Sequence, residues 1–161
     1  MQMNTTYLLL GSNQQQPRQQ LQLAKKHIAK TIGAVVRSSS LYQTAAWGNT
    51  QQPDFVNQVI IASTKLNAAQ TMEAILNIEK KMGRVRTQKN APRIIDIDIL
   101  FFNKEIINTP VLQVPHPRIQ ERNFALVPLN QLSPNFIHPL LHETIHQLLR
   151  ICTDTLTVNK I

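Results

Sequence analysis

Cysteine is almost absent. Cys152 stands alone in 161 residues, so no intrachain disulfide can form, which suits a reducing compartment. No apolar run approaches the roughly 18 residues needed to cross a bilayer. The opening Met1-Gln2-Met3-Asn4-Thr5-Thr6 lacks the basic stretch that begins a signal peptide. Nowhere does G-x-x-x-x-G-K-[ST] occur, so a phosphate-binding loop of that kind is excluded. Aromatic residues make up only 5% of the chain, and the run K/R-G-F/Y-G/A-F-V-x-F/Y of RNA-recognition strands is missing. The expectation is then a single cytoplasmic domain over residues 1–161, long enough to bury a core, with no membrane partner and no nucleic-acid partner expected.

Acids are also scarce: 9 Asp and Glu stand against 17 Lys and Arg, for a net charge of +8. The excess is not spread evenly. Lys80, Lys81, Arg84, Arg86, Lys89 and Arg93 fall in one short stretch, with no acid between Lys80 and Ile95. The stretch runs straight into Asp96 and Asp98. A cationic loop beside a carboxylate pair suits a polyphosphate and its metal.

Periodicity sets out the elements around that feature. Thr6 to Leu10 reads as a buried strand ending at Gly11, and Pro17 to Ile32 as a helix with an apolar stripe of Leu21, Ala24, Ile28 and Ile32. Ala34 to Thr44 and Phe55 to Thr64 read as strands around a turn-rich loop, Ala45 to Asp54. A second helix follows, capped by Asn67 with Gln70 in capping-box spacing and ended by Gly83. Its apolar face is expected to be Met72, Ile75, Leu76 and Met82. Ile94 to Phe102 is then an alternating strand. The order β-α-β-β-α-β predicts an α+β, ferredoxin-like sandwich, an antiparallel sheet with helices on one face. A less regular C-terminal extension follows, with helical turns at Ala125 to Leu132 and Leu141 to Cys152.

In the last of these strands Ile95, Ile97, Ile99 and Phe101 point one way, and Asp96 and Asp98 the other. The two carboxylates are then about 7 Å apart at Cα, close enough to share a magnesium site or to lean on two ions. Taken alone, Asp-x-Asp better describes a solvent-facing strand, and it is the preceding basic loop that turns the reading toward a metal site. Arg84 and Arg86 could clamp phosphate oxygens, or could be a solvated loop. Phe55 and Asn57 share a strand face, so a flat heterocycle could stack on the ring and bond to the amide; spacing alone favours a core Phe and a structural Asn. His142-Glu143-Thr144-Ile145-His146 matches the zinc-hydrolase pattern H-E-x-x-H. A third ligand would have to come from upstream, from His138 or His116, and zinc hydrolysis is the weaker reading.

Taken in order, several segments resemble the 6-hydroxymethyl-7,8-dihydropterin pyrophosphokinase family. They are Gly11-Ser12-Asn13, Tyr42-Gln43-Thr44, Gln52-Pro53-Asp54-Phe55-Val56-Asn57, Glu79 with Gly83-Arg84-Val85-Arg86, Pro92-Arg93-Ile94-Ile95-Asp96-Ile97-Asp98-Ile99-Leu100, Val114-Pro115-His116 and Arg122-Asn123-Phe124. The resemblance implies magnesium-dependent transfer of the terminal diphosphate of ATP to the pterin hydroxymethyl group, with release of AMP, in folate biosynthesis. It implies Asp96 and Asp98 as ligands of two Mg2+ ions, with Arg84 and Arg93 in catalysis. Glu79, Arg84, Arg86, Arg93, His116 and Arg122 would bind ATP, while Thr44, Trp47, Phe55, Asn57 and Phe124 would bind pterin. The two substrates are the expected partners, and the chain is expected to be a monomer. The sequence departs from many relatives in having Asn90-Ala91 before Pro92, Trp47 in an aliphatic place, and Ala45-Ala46 where prolines are common.

Overall fold

The structure is a computed structural model and describes residues 2–46, 51–84 and 93–161. Trp47, Val85, Arg86, Lys89, Asn90, Ala91 and Pro92 lie outside the described residues. In chain order the elements are β1 (Asn4–Ser12), α1 (Pro17–Thr31), β2 (Gly33–Ser38), β3 (Tyr42–Thr44), β4 (Phe55–Thr64), α2 (Ala68–Lys81) and β5 (Asp96–Phe102). A small hairpin, β6 (Ile107–Asn108) and β7 (Gln113–Val114), precedes α3 (Asn123–Leu132), α4 (Ile145–Ile151) and β8 (Val158–Lys160). The main sheet is antiparallel in order β5-β1-β4-β3-β8, with β2 also pairing with β4. Among the described residues no helix is long and apolar enough to cross a membrane.

β1 runs through the middle of the sheet and is apolar on both sides, which makes two cores. Leu8 and Leu10 face α1 and α2 together with Leu21, Ile28, Ile75, Ile78, Ile97 and Ile99. Tyr7 and Leu9 face the opposite side, where Leu126, Leu129, Ile145 and Leu148 of α3 and α4 complete a second cluster. As expected, α1 and α2 share one face. The C-terminal extension, whose placement the pattern did not give, folds back over the other face because that face is equally apolar and must also be removed from water.

Three local readings change. The strand read as Ala34 to Thr44 is two strands, because Ser39 leaves the ladder; its hydroxyl accepts from the backbone N–H of Val59 at 3.0 Å, and its carbonyl accepts from the Gln58 side chain at 2.7 Å. Phe101 does not share a face with Ile97 and Ile99. Tyr7 pairs with Phe101 and Leu8 with Ile99, so Leu100 is an extra residue whose bulge turns Phe101 into the second core. On α2, Leu76 is exposed, and the buried positions are Ala68, Thr71, Ile75, Ile78 and Glu79. The capping box is present: Asn67 Oδ1 accepts from the Gln70 backbone N–H and Gln70 Oε1 from the Asn67 backbone N–H.

The H-E-x-x-H segment is not a helical zinc motif. Thr144 is the N-cap of α4, so only Ile145 and His146 of the motif lie in the helix, and His142 sits before it at φ 59°. His138 is buried beside Phe101, with its Nδ1 accepting from the backbone N–H groups of Leu140 and Leu141. It braces the turn into α4.

Candidate active site

The register of three strands builds the floor of the site. Gly11 on β1 pairs with Asn57 on β4 and, on its other side, with Asp96 on β5. One step along, Leu9 pairs with Val59 and with Asp98. The row Asn57–Gly11–Asp96 faces the same side as the second core, near the start of α3. A cavity of about 260 Å³ stands over it. Its floor includes Leu9 and Gly11, and its walls hold Thr44, Ala45, Gln52, Phe55 and Asn57 at one end and Arg84, Arg93, Asp96, Asp98 and His116 at the other. Arg122 and Phe124 close it from the start of α3.

Gly11 is needed for closeness. A Cβ there would lie 2.7 Å from Asn57 Oδ1 and 3.6 Å from Phe55 Cδ1. Asn57 is buried, and its amide N–H donates to Thr44 Oγ1 at 3.2 Å, which fixes the direction of the amide. Phe55 and Phe124 both border the cavity, and the Arg122 guanidinium lies 5.5 Å from the Phe124 ring centre, within cation–π range.

The acidic end is crowded with charge. Arg84 Nη1 donates to Asp96 Oδ1 at 2.8 Å, and Arg93 Nη1 to Asp96 Oδ2 at 3.3 Å. Burial alone would lower the Arg84 pKa, but Asp96 and Glu79 together hold it above its ordinary value. Burial pushes the Asp98 carboxyl up to about 8; the neighbouring Asp96 charge adds to the rise and Arg122 opposes it. His116 is driven down to about 4, mainly by burial and then by Arg122, so its ring is neutral near pH 7. Its Nδ1 accepts from the Arg118 backbone N–H at 3.1 Å, which leaves Nε2 as the protonated nitrogen and a donor.

Two half-buried carboxylates on one face of β5 form an oxygen-donor pair suited to a hard divalent cation. Among the described residues no cluster of three or more His, Cys, Asp or Glu is arranged as a metal site, so further ligands would have to come from substrate or water.

Of the residues singled out from sequence, Thr44, Phe55, Asn57, Arg84, Arg93, Asp96, Asp98, His116, Arg122 and Phe124 meet at this one cavity. Trp47 and Arg86 lie outside the described residues. Glu79 is buried in α2 behind Arg84, accepting from Arg84 Nη1 at 2.6 Å and from the Ile97 backbone N–H at 2.8 Å.

Sequence reasoning missed Asn13. Its side chain donates to Gln52 Oε1 at 2.6 Å and to the Pro53 carbonyl at 3.1 Å, and accepts from the Arg93 backbone N–H at 2.8 Å. The segments on both sides of the site are thereby tied to the end of β1. The only signal for it was Gly-Ser-Asn placed directly after an apolar strand.

An acidic pair under arginines stands at one end of the cavity, and aromatic rings with an oriented amide stand at the other. The family model described as 7,8-dihydro-6-hydroxymethylpterin-pyrophosphokinase matches residues 7–134, and the chain belongs to that family. The 2-amino-4-hydroxy-6-hydroxymethyldihydropteridine pyrophosphokinase of Aquifex aeolicus is 36% identical over 145 residues, covering 90% of this chain and 90% of that protein. Folic acid synthesis protein FOL1 of Dictyostelium discoideum is 39% identical over 145 residues; the match covers 90% of this chain but only 22% of that longer protein. Among solved structures, Plasmodium falciparum HPPK-DHPS with pteroate matches with a TM-score of 0.74 at 19% identity, over 92% of this chain and 42% of that one. That last likeness is one of fold.

Proposed function

We propose that this chain transfers the terminal diphosphate of ATP to the hydroxyl of 6-hydroxymethyl-7,8-dihydropterin and releases AMP. The observation that carries the reading is the single row Asn57–Gly11–Asp96, which joins a heterocycle-binding end to an acidic, arginine-ringed end across the width of three strands. The pterin lies between Phe55 and Phe124, with its polar edge on Asn57 and Thr44. The ATP phosphates lie against Arg84, Arg93, Arg122 and the Nε2–H of His116. The hydroxymethyl oxygen attacks the β-phosphorus, the bond from that phosphorus to the α–β bridging oxygen breaks, and AMP leaves with that oxygen. The hydroxyl proton passes to solvent or a phosphate oxygen.

Asp96 and Asp98 would hold two Mg2+ ions, which when bound neutralise phosphate charge and acidify the attacking hydroxyl. The protein's own part is alignment and charge compensation, which is most of what phosphoryl transfer needs from a protein. His116 cannot take the proton as a base, because its free nitrogen already carries one. It is a donor to phosphate.

The order β5-β1-β4-β3, reached through α1 and α2 as crossovers, supports a ferredoxin-like topology for this unit. We read the chain as one catalytic unit that acts as a monomer in the cytoplasm. The testing experiment incubates protein, ATP, Mg2+ and the pterin alcohol, then separates nucleotides. AMP formed in step with a pterin diphosphate, and only with pterin present, supports the reading. ADP would make the chain a simple kinase, and no turnover by folded protein would remove the reading altogether. Phe55→Ala should weaken pterin binding by about 1–3 kcal/mol, as for a base on an aromatic platform.

A further inference from the structure

Glu79 and Arg84 are joined twice. α2 ends in a left-handed turn at Gly83 (φ 90°), where the Gly83 N–H bonds to the Lys80 carbonyl and the Arg84 N–H to the Glu79 carbonyl at 3.0 Å. That turn folds Arg84 back over the residue that receives its side chain, and Arg84 Nη1 reaches Glu79 Oε2 at 2.6 Å. The same nitrogen reaches Asp96 Oδ1 at 2.8 Å. Glu79 Oε2 also accepts from the Ile97 N–H, the peptide between the two aspartates. The carboxylate thus touches both the backbone that carries the acidic pair and the cation that covers one member of it. Exposure falls across the trio: the Asp96 side chain is 23% exposed, Arg84 7% and Glu79 4%. Arg84 and Asp96 both border the cavity.

We infer that Glu79 is a positioning residue that holds Arg84 as an exchangeable counter-ion on Asp96. Arg84 covers the Asp96 oxygen while no cation is bound. A divalent cation and a polyphosphate arriving together take over both roles: the cation replaces Arg84 on Asp96, and the released Nη1 keeps Glu79 while the rest of the fork turns to a phosphate oxygen. Without Glu79, Arg84 would have Asp96 as its sole carboxylate partner of this pair and would compete harder with the cation. This inference rests on the proposed function for the identity of the polyphosphate, but not for the exchange at Asp96.

The exchange is read from binding of Mn2+ alone, followed by the loss of its free paramagnetic signal, in the unaltered chain, Glu79→Gln, Arg84→Met and the double variant. Gln keeps an acceptor for the Ile97 N–H and removes only the charge. Glu79→Gln should bind Mn2+ about three- to tenfold more weakly than the unaltered chain, in the range expected for coupled neighbours. The double variant should regain at least the unaltered affinity, although it has lost the same negative charge. With a non-hydrolysable ATP analogue present the order should invert, the double variant binding the nucleotide more weakly than either parent.

A double variant no tighter for Mn2+ than Glu79→Gln would overturn the inference, since Glu79 would then act through its charge alone. If Glu79→Gln does not fold, the double variant is compared with the unaltered chain, and weaker Mn2+ binding by the double variant overturns it. A merely structural Glu79 would shift melting temperature without this reversal of sign. Failure of the proposed function would show separately, as absence of AMP from the unaltered chain.

Discussion

Asn57 and Asp96 stand in one row of the sheet with only Gly11 between them, each paired to it from an opposite side. At about 4.8 Å per strand spacing, the amide and the carboxylate are set roughly 10 Å apart along the row. Strand register, not a loop, sets the distance between the two ends of the site.

Gly11→Ala tests that relationship. The added methyl would lie 2.7 Å from Asn57 Oδ1, and Asn57 is buried and bonded to Thr44, so it cannot easily give way. Overpacking of this kind costs about 1–3 kcal/mol. Pterin affinity should fall by about tenfold or more, while affinity for the magnesium complex of an ATP analogue should stay near that of the unaltered chain. Calorimetric titration of each ligand separately gives the answer, and an equal loss for both would mean that the methyl disturbs the sheet rather than the pterin end.

Asp98 should make the metal-free chain pH-sensitive. Burial and the Asp96 charge raise its carboxyl from 3.8 to about 8, so the folded state holds that proton more tightly than the unfolded chain does. The stability associated with the protonated form is complete below the unfolded value and is lost as pH rises through the folded one. Asp98→Asn mimics the protonated form and cannot ionise. In chelator, its melting temperature should exceed that of the unaltered chain by a small margin near pH 5 and by a much larger one at pH 8.5. Saturating Mg2+ should raise the melting temperature of the unaltered chain at pH 8.5 and leave Asp98→Asn where it was, with turnover reduced by orders of magnitude. Equal melting temperatures in chelator at pH 8.5 would show that Asp98 carries no such penalty.

Much of this site was legible because its residues sit on regular elements. Alternation in Ile95 to Asp98 put both carboxylates on one face, and the same period put Phe55 with Asn57. What failed was whatever depended on tertiary pairing. Leu100 is an ordinary strand residue by composition, and only the partner register at Tyr7 and Leu8 makes it a bulge that turns Phe101 over. Leu76 satisfied helical spacing, but Glu79 and Thr71 take the buried face instead, Glu79 because its charge is answered by Arg84. Asn13 carried no periodic signal, since its partners Gln52, Pro53 and Arg93 are far along the chain.

Gly83→Ala should separate helix termination from chemistry. Among the described residues a Cβ at Gly83 meets nothing closer than Ile94 Cδ1 at 3.7 Å, and the cost is in the backbone at φ 90°. That cost is about 1 kcal/mol for a residue with a side chain. If the turn opens to relieve it, Arg84 moves off Glu79 and Asp96. Stability should fall slightly and kcat much more, with the pterin dissociation constant unchanged. Parallel losses in kcat and in pterin affinity would place the effect elsewhere.

Asn13 is the junction between the two sides of the site, and two variants divide its bonds. Asn13→Ala removes three part-buried side-chain hydrogen bonds, worth about 0.5–1.5 kcal/mol each, and should lower melting temperature and weaken both substrates. Asn13→Asp keeps the acceptor that holds the Arg93 backbone N–H but has no donor for the Pro53 carbonyl. The Gln52 amide can turn to donate, whereas the carbonyl cannot. The Asp variant should therefore retain nucleotide affinity, because Arg93 stays in place against Asp96, and lose affinity on the side where Phe55 and Asn57 receive the pterin. Binding isotherms for the two ligands, each measured with both variants, distinguish a junction from a simple core contact. A core contact would weaken both ligands in the same proportion in both variants, whereas a junction gives a loss in the Asp variant confined to the pterin side.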